Sequence, residues 1–293
     1  MSNTIPGTIK MTGPVKLPGG GALDLSGKPL VMAIVNCTED SFYPGSHNAG
    51  PEAAVERALV AAEAGADIID FGGESTRPGA AYVSEEEEQR RLIPVIRAFR
   101  RQKQTPISVD TRKEPVARAA LEAGANLIND ISALEDDPAL GPRCAEWGAP
   151  VVLMHKKGIP TDMQDQPYYE DVVGEVRSYL AAAVARALAV GIPPEHIILD
   201  PGIGFGKRRE DNLALLTRLD EIRALGYPVL IGLSRKTIIG DLTGREVSQR
   251  LAGTLAANAL CLMKGARIIR VHDVPEAVDL VKVLSAIGPY PAG

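Results

Sequence analysis

The sequence has few cysteines, no long apolar run and no excess of positive charge. Its three cysteines, Cys37, Cys144 and Cys261, lie far apart and are odd in number. This argues against a disulfide framework and favours a reducing compartment. No apolar run reaches the ~18–20 residues that span a bilayer, and residues 1–21 lack the apolar core of a signal peptide. We therefore expect a cytoplasmic protein that does not enter a membrane.

The charge balance excludes one large class of partners. The formal net charge is −5 over 293 residues, so the chain has no global basic surface for nucleic acid. An anionic ligand would have to be held by a local cluster of positive groups. With 45% hydrophobic and 24% charged residues, the composition is that of an ordinary globular protein.

The usual nucleotide-binding glycine motifs are also missing. The stretch LDPGIGFGKRRED, residues 199–211, has three residues between Gly202 and Gly206, and Arg208 follows Lys207. The P-loop needs four residues before Gly-Lys and a Ser or Thr after it, and the spacing also differs from G-x-G-x-x-G. These glycines therefore need another explanation.

Short buried runs alternate with helical patterns along the chain. Each run has four to seven residues, is rich in Val and Ile and mostly lacks polar alternation, as in strands that are covered on both faces. The predicted strands are Leu30–Asn36, Asp67–Phe71, Ile107–Asp110, Leu127–Asp130, Val151–His155, Ile197–Asp200, Val229–Leu233 and Arg267–Val271.

Helix patterns and their end signals fill the intervals. Helical stretches include 51–64, 113–123, 172–190, 211–225 and 248–264, and Gly65, Gly124, Gly191 and Gly226 are stop signals after four of them. Ser84 with Glu87 forms a capping-box signature, so the four glutamates that follow Ser84 are read as a helix first turn rather than a metal site. Pro94 is expected to kink or split that helix.

Eight β–α units in under 300 residues predict a closed (β/α)8 TIM barrel, with a doubly wound open sheet as the alternative. We expect one domain over residues 1–293, with the barrel proper at about 30–285. Residues 19–29 are expected to form a hairpin-like extension that covers the barrel bottom.

Polar residues stand where each predicted strand ends, which is where the chemistry of such barrels lies. The residues concerned are Asn36, the stretch GGESTRPG after the second strand, Asp110, Asn129 with Asp130, His155, Asp200, Lys236 in GLSRKT, and Arg270 with His272 and Asp273. An Asp after a strand is often a helix N-cap, but most of the following helices begin several residues downstream. The set as a whole therefore indicates a ligand site.

The chemistry of these groups suits a flat heterocycle joined to an anion. Asp110, Asn129 and Asp200 could read the edge of a donor-rich ring such as a 2-amino-4-oxo heterocycle, and Lys236 could bind its carbonyl oxygen. Arg270 and His272 are donors suited to a phosphate or pyrophosphate, and the amide oxygen of Asn36 could complete a magnesium site. The glycines near Asp200 would let a flat ligand approach the backbone, with Phe205 as a stacking face.

The motifs NCTEDSF, DIIDFGGESTRPGA, SVDT, NDIS, DPGIGFGK, GLSRK and RVHDV occur together over about residues 25–285. In this order and spacing they resemble the dihydropteroate synthase family of the folate pathway. The resemblance implies a (β/α)8 barrel, usually a homodimer, that joins 7,8-dihydropterin-6-ylmethyl pyrophosphate to p-aminobenzoate and releases pyrophosphate.

The resemblance also implies a role for each matching residue. Asp110, Asn129, Asp200 and Lys236 would hold the pterin, while Asn36, Arg270 and His272 would hold the pyrophosphate, with Mg²⁺ on Asn36. Thr76, Arg77 and Pro78 would lie on a mobile loop over the aminobenzoate, and Asp40 on a second mobile loop. Phe205 and Lys236 would line the aminobenzoate site, and Thr237 would meet its carboxylate near a helix N-terminus. Asp110, Lys236, Arg270, His272 and Asp40 would be the catalytic groups.

The implied mechanism is dissociative: pyrophosphate leaves first, and the aniline nitrogen then attacks the pterin methylene cation. The chain departs from the family pattern at Glu39, at YPGS after Phe42, at HKKG after the fifth strand and at Thr237. These changes bear on the aminobenzoate site and hence on sulfonamide sensitivity. Two other functions remain open at this point, a pterin-binding methyltransferase domain that serves a corrinoid protein and a non-catalytic pterin- or phosphate-binding barrel. His155 could orient its neighbours or merely pack.

Overall fold

The computed structural model describes residues 13–38, 50–75, 82–158 and 167–288. The described chain begins with an antiparallel hairpin of β1 (Val15–Lys16) and β2 (Ala22–Leu23). Apolar side chains of this hairpin region pack in one cluster with the inward residues at the N-terminal ends of the barrel strands: Val15, Leu17, Leu23, Leu25, Leu30, Met32, Ile68, Leu127, Val152, Ile198, Leu230 and Ile268. The hairpin therefore covers the barrel bottom as predicted, but it begins at Val15, before the predicted range of residues 19–29.

Eight parallel strands form the barrel. They are β3 (Leu30–Asn36), β4 (Ile68–Gly72), β5 (Ile107–Asp110), β6 (Leu127–Asp130), β7 (Val151–Met154), β8 (Ile197–Asp200), β9 (Leu230–Ile231) and β10 (Ile268–Val271). Neighbours follow the order β8-β7-β6-β5-β4-β3-β10-β9. A parallel bridge between Leu199 and Val229 joins the two ends of this order. The sheet thus closes on itself, which confirms the (β/α)8 barrel and excludes the open sheet.

Four of the predicted strands have the observed bounds, and the seventh is much shorter than predicted. Only Leu230–Ile231 forms regular ladder where Val229–Leu233 was expected. The carbonyl oxygen of Val229 accepts hydrogen bonds from the backbone N–H groups of both Arg267 and Ile268. This shared acceptor makes the pairing of β9 with β10 irregular.

Ten α-helices and two short 3₁₀ turns connect the strands in the described part of the chain. The helices are α1 (Pro51–Glu63), α2 (Glu85–Arg100), α3 (Glu114–Glu122), α4 (Leu140–Trp147), α5 (Val172–Ala189), α6 (Arg209–Thr217), α7 (Leu219–Arg223), α8 (Thr237–Thr243), α9 (Leu251–Met263) and α10 (Val274–Ile287). None of them, within the described residues, combines the length and apolar character that a membrane span needs.

The local helix signals mostly hold, with two exceptions. The Ser84 side chain accepts a hydrogen bond from the backbone N–H of Glu87, which confirms that Ser84 caps α2. The predicted split at Pro94 is wrong: α2 runs unbroken from Glu85 to Arg100, because the buried stripe of Leu92, Val95, Ile96 and Phe99 holds it against the sheet.

The stretch 211–225, predicted as one helix, is two. It divides between α6 and α7 at Arg218, which has non-helical backbone angles of φ −109° and ψ 30°. The hydroxyl of Thr217 donates to the carbonyl oxygens of Leu213 and Ala214. Such back-bonding competes with the helix ladder and bends it.

Candidate active site

Alternation along the strands brings polar side chains together inside the C-terminal mouth of the barrel. Asp70 on β4, Asp110 on β5 and Arg270 on β10 occupy inward positions, above the apolar layer that contains Ile68 and Ile268. Asn129 on β6 joins them, because its amide donates to Asp70 Oδ2 at 3.3 Å. The sequence prediction that strand ends meet in one site is confirmed for these strands.

Arg270 lies at the centre of this group and contacts two carboxylates. Its Nε donates to Asp70 Oδ2 at 2.6 Å, and its Nη2 donates to Asp110 Oδ2 at 2.9 Å. The Asp70 side chain is fully buried, whereas the Arg270 side chain is about one-fifth exposed toward the mouth. Arg270 thus pairs with acids on β4 and β5, neither of which borders β10 in the sheet.

Asp70 belongs to this cluster, although it was not among the site residues predicted from the sequence. It lies in the middle of β4, whereas the sequence prediction considered only the residues at the strand ends. A signal was nevertheless present: an ionisable residue inside an apolar strand must be paired, since burying a lone charge costs several kcal/mol. Asp70 Oδ1 and the hydroxyl of Ser108, its register neighbour on β5, have no hydrogen-bond partner among the described residues.

Burial strongly affects the acids of the mouth. It raises the pKa of Asp110, and the positive charge of Arg270 opposes that rise. Burial also raises the pKa of Asp200, and Lys236 opposes it. Each carboxylate therefore depends on a donor or a cation to remain ionised.

Lys236 follows β9, the strand next to β10, and lies beside Phe205. Its Nζ is 4.6 Å from the centre of the Phe205 ring and donates to the carbonyl oxygen of Ile203 at 2.5 Å. Burial lowers the pKa of Lys236 to about 8, while Asp200 raises it. The structure thus brings Asp200, Lys236 and Phe205 together, as the sequence predicted.

The glycines of residues 200–207 serve a different contact from the one predicted. A Cβ on Gly202 would lie 1.8 Å from the carbonyl oxygen of His155, and one on Gly206 would lie 2.1 Å from that of Lys157. Both glycines have positive φ, 66° and 63°. They let two loops of the protein approach each other, so the prediction that they admit a flat ligand is wrong for these two positions.

Lys207 holds the same loop from beneath. Its buried Nζ donates to the carbonyl oxygens of Gly202 at 2.8 Å and Phe205 at 3.0 Å. It also lies 2.9 Å from Nδ1 of His155, whose ring packs edge-on against Tyr179. Burial, followed by the charge of Lys207, lowers the pKa of His155 to about 2, so this histidine is neutral. His155 thus both packs against Tyr179 and contacts Lys207.

The loops after β9 and β10 are joined by two contacts. Ser234 Oγ accepts the backbone N–H of His272 at 3.1 Å and lies 2.9 Å from Nδ1 of the same residue. The guanidinium of Arg235 makes two hydrogen bonds to the carboxylate of Asp273. Arg235 has φ 56°, a left-handed conformation that is strained for a residue with a side chain. The two loops carry Lys236 and His272, so their geometry is mutually constrained.

The remaining predicted residues fall into two sets. Asn36 ends β3 opposite Gly72, and its side-chain oxygen and Asp110 both lie close to that bare glycine. Thr237 is the first residue of α8, directly after Lys236. Asp40, Thr76, Arg77 and Pro78, together with Glu39, lie outside the described residues.

In the altered motif HKKG, the two lysine side chains pair with groups other than the acids of the mouth. Lys156 pairs with Asp136 at 2.8 Å, and Lys157 donates to the carbonyl oxygen of Tyr168. Both ammonium groups are held by partners on the surrounding loops. The altered motif therefore leaves the ring-reading set of Asp110, Asn129 and Asp200 unchanged.

The fold and these contacts define a class of protein. It is a (β/α)8 barrel whose mouth combines buried ring-reading carboxylates with a lysine, an arginine and a histidine, as suits a heterocycle that carries an anionic group. Residues 32–272 match the pterin binding enzyme family.

Known proteins narrow this class. Dihydropteroate synthase of Escherichia coli K12 is 48% identical over 267 residues, which are 91% of this chain and 94% of that protein. The solved structure of Xanthomonas albilineans dihydropteroate synthase with 4-aminobenzoic acid is 48% identical, covers 95% of this chain and 100% of that chain, and has a TM-score of 0.88. The same enzyme in complex with 7,8-dihydropteroate aligns over 94% of this chain and 100% of that chain, at 44% identity and a TM-score of 0.84. The chain belongs to the dihydropteroate synthase family.

Proposed function

We propose that the protein condenses 7,8-dihydropterin-6-ylmethyl pyrophosphate with p-aminobenzoate to give 7,8-dihydropteroate and pyrophosphate. The observation that carries this proposal is the convergence of Asp110, Asn129, Asp200, Lys236 and Arg270 in one barrel mouth. The X. albilineans relatives with 4-aminobenzoic acid and with 7,8-dihydropteroate bind the second substrate and the product of this reaction. A pterin-binding methyltransferase would not need the pair Arg270 and His272, since it handles no pyrophosphate.

The pterin would be held by its donor groups. Asp110, Asn129 and Asp200 present oxygens toward the mouth, and Lys236 presents an ammonium beside them. Buried acceptors of this kind reject a ligand that cannot pair with them, because an unmet polar group costs about 1–3 kcal/mol. The pterin edge thereby fixes the orientation of the methylene group that reacts.

The departing pyrophosphate would be stabilised by Arg270 and His272. Both lie at the end of β10, on the side of the mouth next to Asn36 on β3. Fixed donors aimed at developing negative charge lower the barrier most in a water-poor site. Asp110 would stabilise the positive charge that develops on the pterin methylene. The aniline nitrogen of p-aminobenzoate, lying between Phe205 and Lys236, would then attack without a covalent enzyme intermediate.

Magnesium fits the residues that are present. Among the described residues no group of three or more His, Cys, Asp or Glu could hold a metal. The neutral side-chain oxygen of Asn36 suits Mg²⁺, which typically takes one or two protein ligands and completes its shell with phosphate oxygens and water. Bound there, it would neutralise charge on the leaving pyrophosphate. Asn36 is held in place as its backbone carbonyl accepts from Arg57 Nη2 at 2.9 Å.

Lys236→Ala tests the proposed ring and aminobenzoate contacts. We expect kcat/KM to fall by at least ~2 kcal/mol, because a charged hydrogen-bond donor is lost from a buried site. The assay is dihydropteroate formation under saturating magnesium. Lys264, a partly exposed lysine after α9 that donates to the carbonyl oxygen of Thr217, gives the control Lys264→Ala, which should retain wild-type kcat/KM. A Lys236→Ala protein with near-wild-type kcat/KM would contradict the role.

We further propose that the protein forms a homodimer through α9 and α10. These neighbouring helices expose Leu260, Met263, Val283 and Ile287, which are between 42% and 78% accessible. A contiguous apolar stripe of this kind is typical of a protein interface.

The dimer is tested by light scattering after size-exclusion chromatography. Met263→Glu combined with Val283→Glu should give a monomer, because each places a charge in the apolar interface. Val190→Glu, at the end of α5 elsewhere on the surface, is the matched control and should remain dimeric. A wild-type protein that is monomeric at micromolar concentration would refute this interface.

A further inference from the structure

The arginine proposed to bind pyrophosphate is paired with two carboxylates. Its guanidinium donates to Asp70 and to Asp110, at 2.6 Å and 2.9 Å. With both carboxylates ionised, this group of three side chains is net negative. Such a group repels a pyrophosphate instead of attracting it. Exchange of one carboxylate to another partner would lower this repulsion and add a guanidinium donor for the anion.

Asp110 is the carboxylate that a ligand can reach. The Asp70 side chain has no exposed surface, while that of Asp110 is 8% exposed and borders the mouth. Asp110 is also the residue assigned to the pterin ring. Ring N–H groups can replace the guanidinium as donors to Asp110, so the buried carboxylate is never left without a partner.

Asp70 would keep Arg270 in place during this exchange. It binds Nε, the nitrogen nearest the side-chain stem, whereas Asp110 binds the terminal Nη2. Asp70 is itself fixed by the amide of Asn129. Release of Nη2 thus turns the guanidinium about a retained hydrogen bond and leaves a free donor edge at the mouth.

We propose that Asp110 is a partner shared between Arg270 and the pterin ring, so that ring binding releases Arg270 to bind pyrophosphate. This inference rests on the proposed function, since it takes the ring site at Asp110 and the pyrophosphate site at Arg270. Binding of the two parts of the substrate is then positively coupled. A free pyrophosphate binds weakly to the empty site and strongly once the ring is present.

The test is calorimetric titration of inorganic pyrophosphate with Mg²⁺, with and without 6-hydroxymethylpterin, which lacks the pyrophosphate. In the wild-type protein, the pterin should raise pyrophosphate affinity at least about tenfold, within the usual range of coupling between sites. Asp110→Asn should bind pyrophosphate alone at least about tenfold more tightly than wild type does, because Arg270 then has one charged partner fewer. A gain of affinity is a result that damage to the fold does not produce.

Asp130→Asn is the matched control. Asp130 is a buried carboxylate beside Asn129, and it accepts hydrogen bonds from Ser132 and Leu134 rather than from Arg270. Its neutralisation should change pyrophosphate affinity by no more than about threefold, since only the long-range field changes. An equal gain in Asp130→Asn would overturn the specific contact in favour of general electrostatics.

The remaining outcomes separate this inference from the proposed function. Failure of the wild-type protein to bind the pterin would contradict both the shared-partner inference and the proposed function. Pterin binding with unchanged pyrophosphate affinity would overturn the shared-partner inference and leave the proposed function intact. The wild-type titration needs no variant, so the inference stays testable even where Asp110→Asn does not fold.

Discussion

Gly202 illustrates how a residue without a side chain shapes this site. Its φ of 66° suits glycine, and the carbonyl oxygen of His155 lies where a Cβ would be placed. This close approach lets Lys207 reach the carbonyl oxygens of Gly202 and Phe205 from below. The glycine thereby supports the wall formed by Phe205.

Gly202→Ala should lower the free energy of unfolding by at least about 3 kcal/mol. About 1–2 kcal/mol of this comes from the left-handed backbone, and the rest from the clash with His155. Gly244 has φ 67° and nothing within 4 Å of its Cβ position. Gly244→Ala should therefore lower the free energy of unfolding only by the cost of the left-handed backbone. Urea unfolding of both variants provides the comparison. Equal losses would show that the close approach to His155 carries no energetic weight.

At this scale the sequence predicts residue types better than their partners. Asp110, Asn129, Asp200, Lys236 and Arg270 could be placed at strand ends by counting alone. That Arg270 turns toward Asp70 could not, because the pairing depends on which strands become neighbours when the barrel closes. Lys207 was passed over for a related reason, since its partners belong to loops from two different strands.

At the scale of elements, the loops after β9 and β10 act as one unit. Ser234 with His272, and Arg235 with Asp273, join them. The backbone N–H of Arg235 also donates to Thr254 Oγ1 at 3.1 Å, and its carbonyl accepts from Arg250 Nη1 at 3.0 Å. These contacts hold a strained residue directly before Lys236. A strained backbone conformation that several contacts hold in place is typical of functional sites.

Asp273→Asn should lower kcat/KM about tenfold, because the loops carrying Lys236 and His272 lose their charged link. Adding Arg235→Gly, which tolerates the same φ, should cause little further loss, as both changes remove one interaction. Glu221→Gln, in the two-bond pair with Arg218, controls for loss of an ion pair remote from the mouth. Equal effects of Asp273→Asn and Glu221→Gln on steady-state kinetics would argue against a positioning role.

The elements themselves were largely predictable. Strands such as Ile107–Asp110 are buried on both faces and flanked by clear helix stops, so their bounds follow from composition. The break at Arg218 was not predictable, because hydrogen bonds from the Thr217 side chain override the local helix signal. The continuity of α2 through Pro94 was not predictable either, because it depends on tertiary packing.

At the scale of the whole molecule, barrel closure is what creates the site. The bridge between Leu199 and Val229 brings β8 beside β9, and so places Asp200 near Lys236. The same closure sets β10 beside β3, which brings Arg270 and His272 to the side of Asn36. Alternation of strands and helices predicted this architecture, since eight such units close a barrel.

The most direct test of the whole account is a pyrophosphate-release assay with 7,8-dihydropterin-6-ylmethyl pyrophosphate and Mg²⁺, run with and without p-aminobenzoate. The account predicts turnover that depends on p-aminobenzoate, with 7,8-dihydropteroate formed in equal amount to pyrophosphate. Absence of release under both conditions, while the pterin substrate still binds, would contradict it.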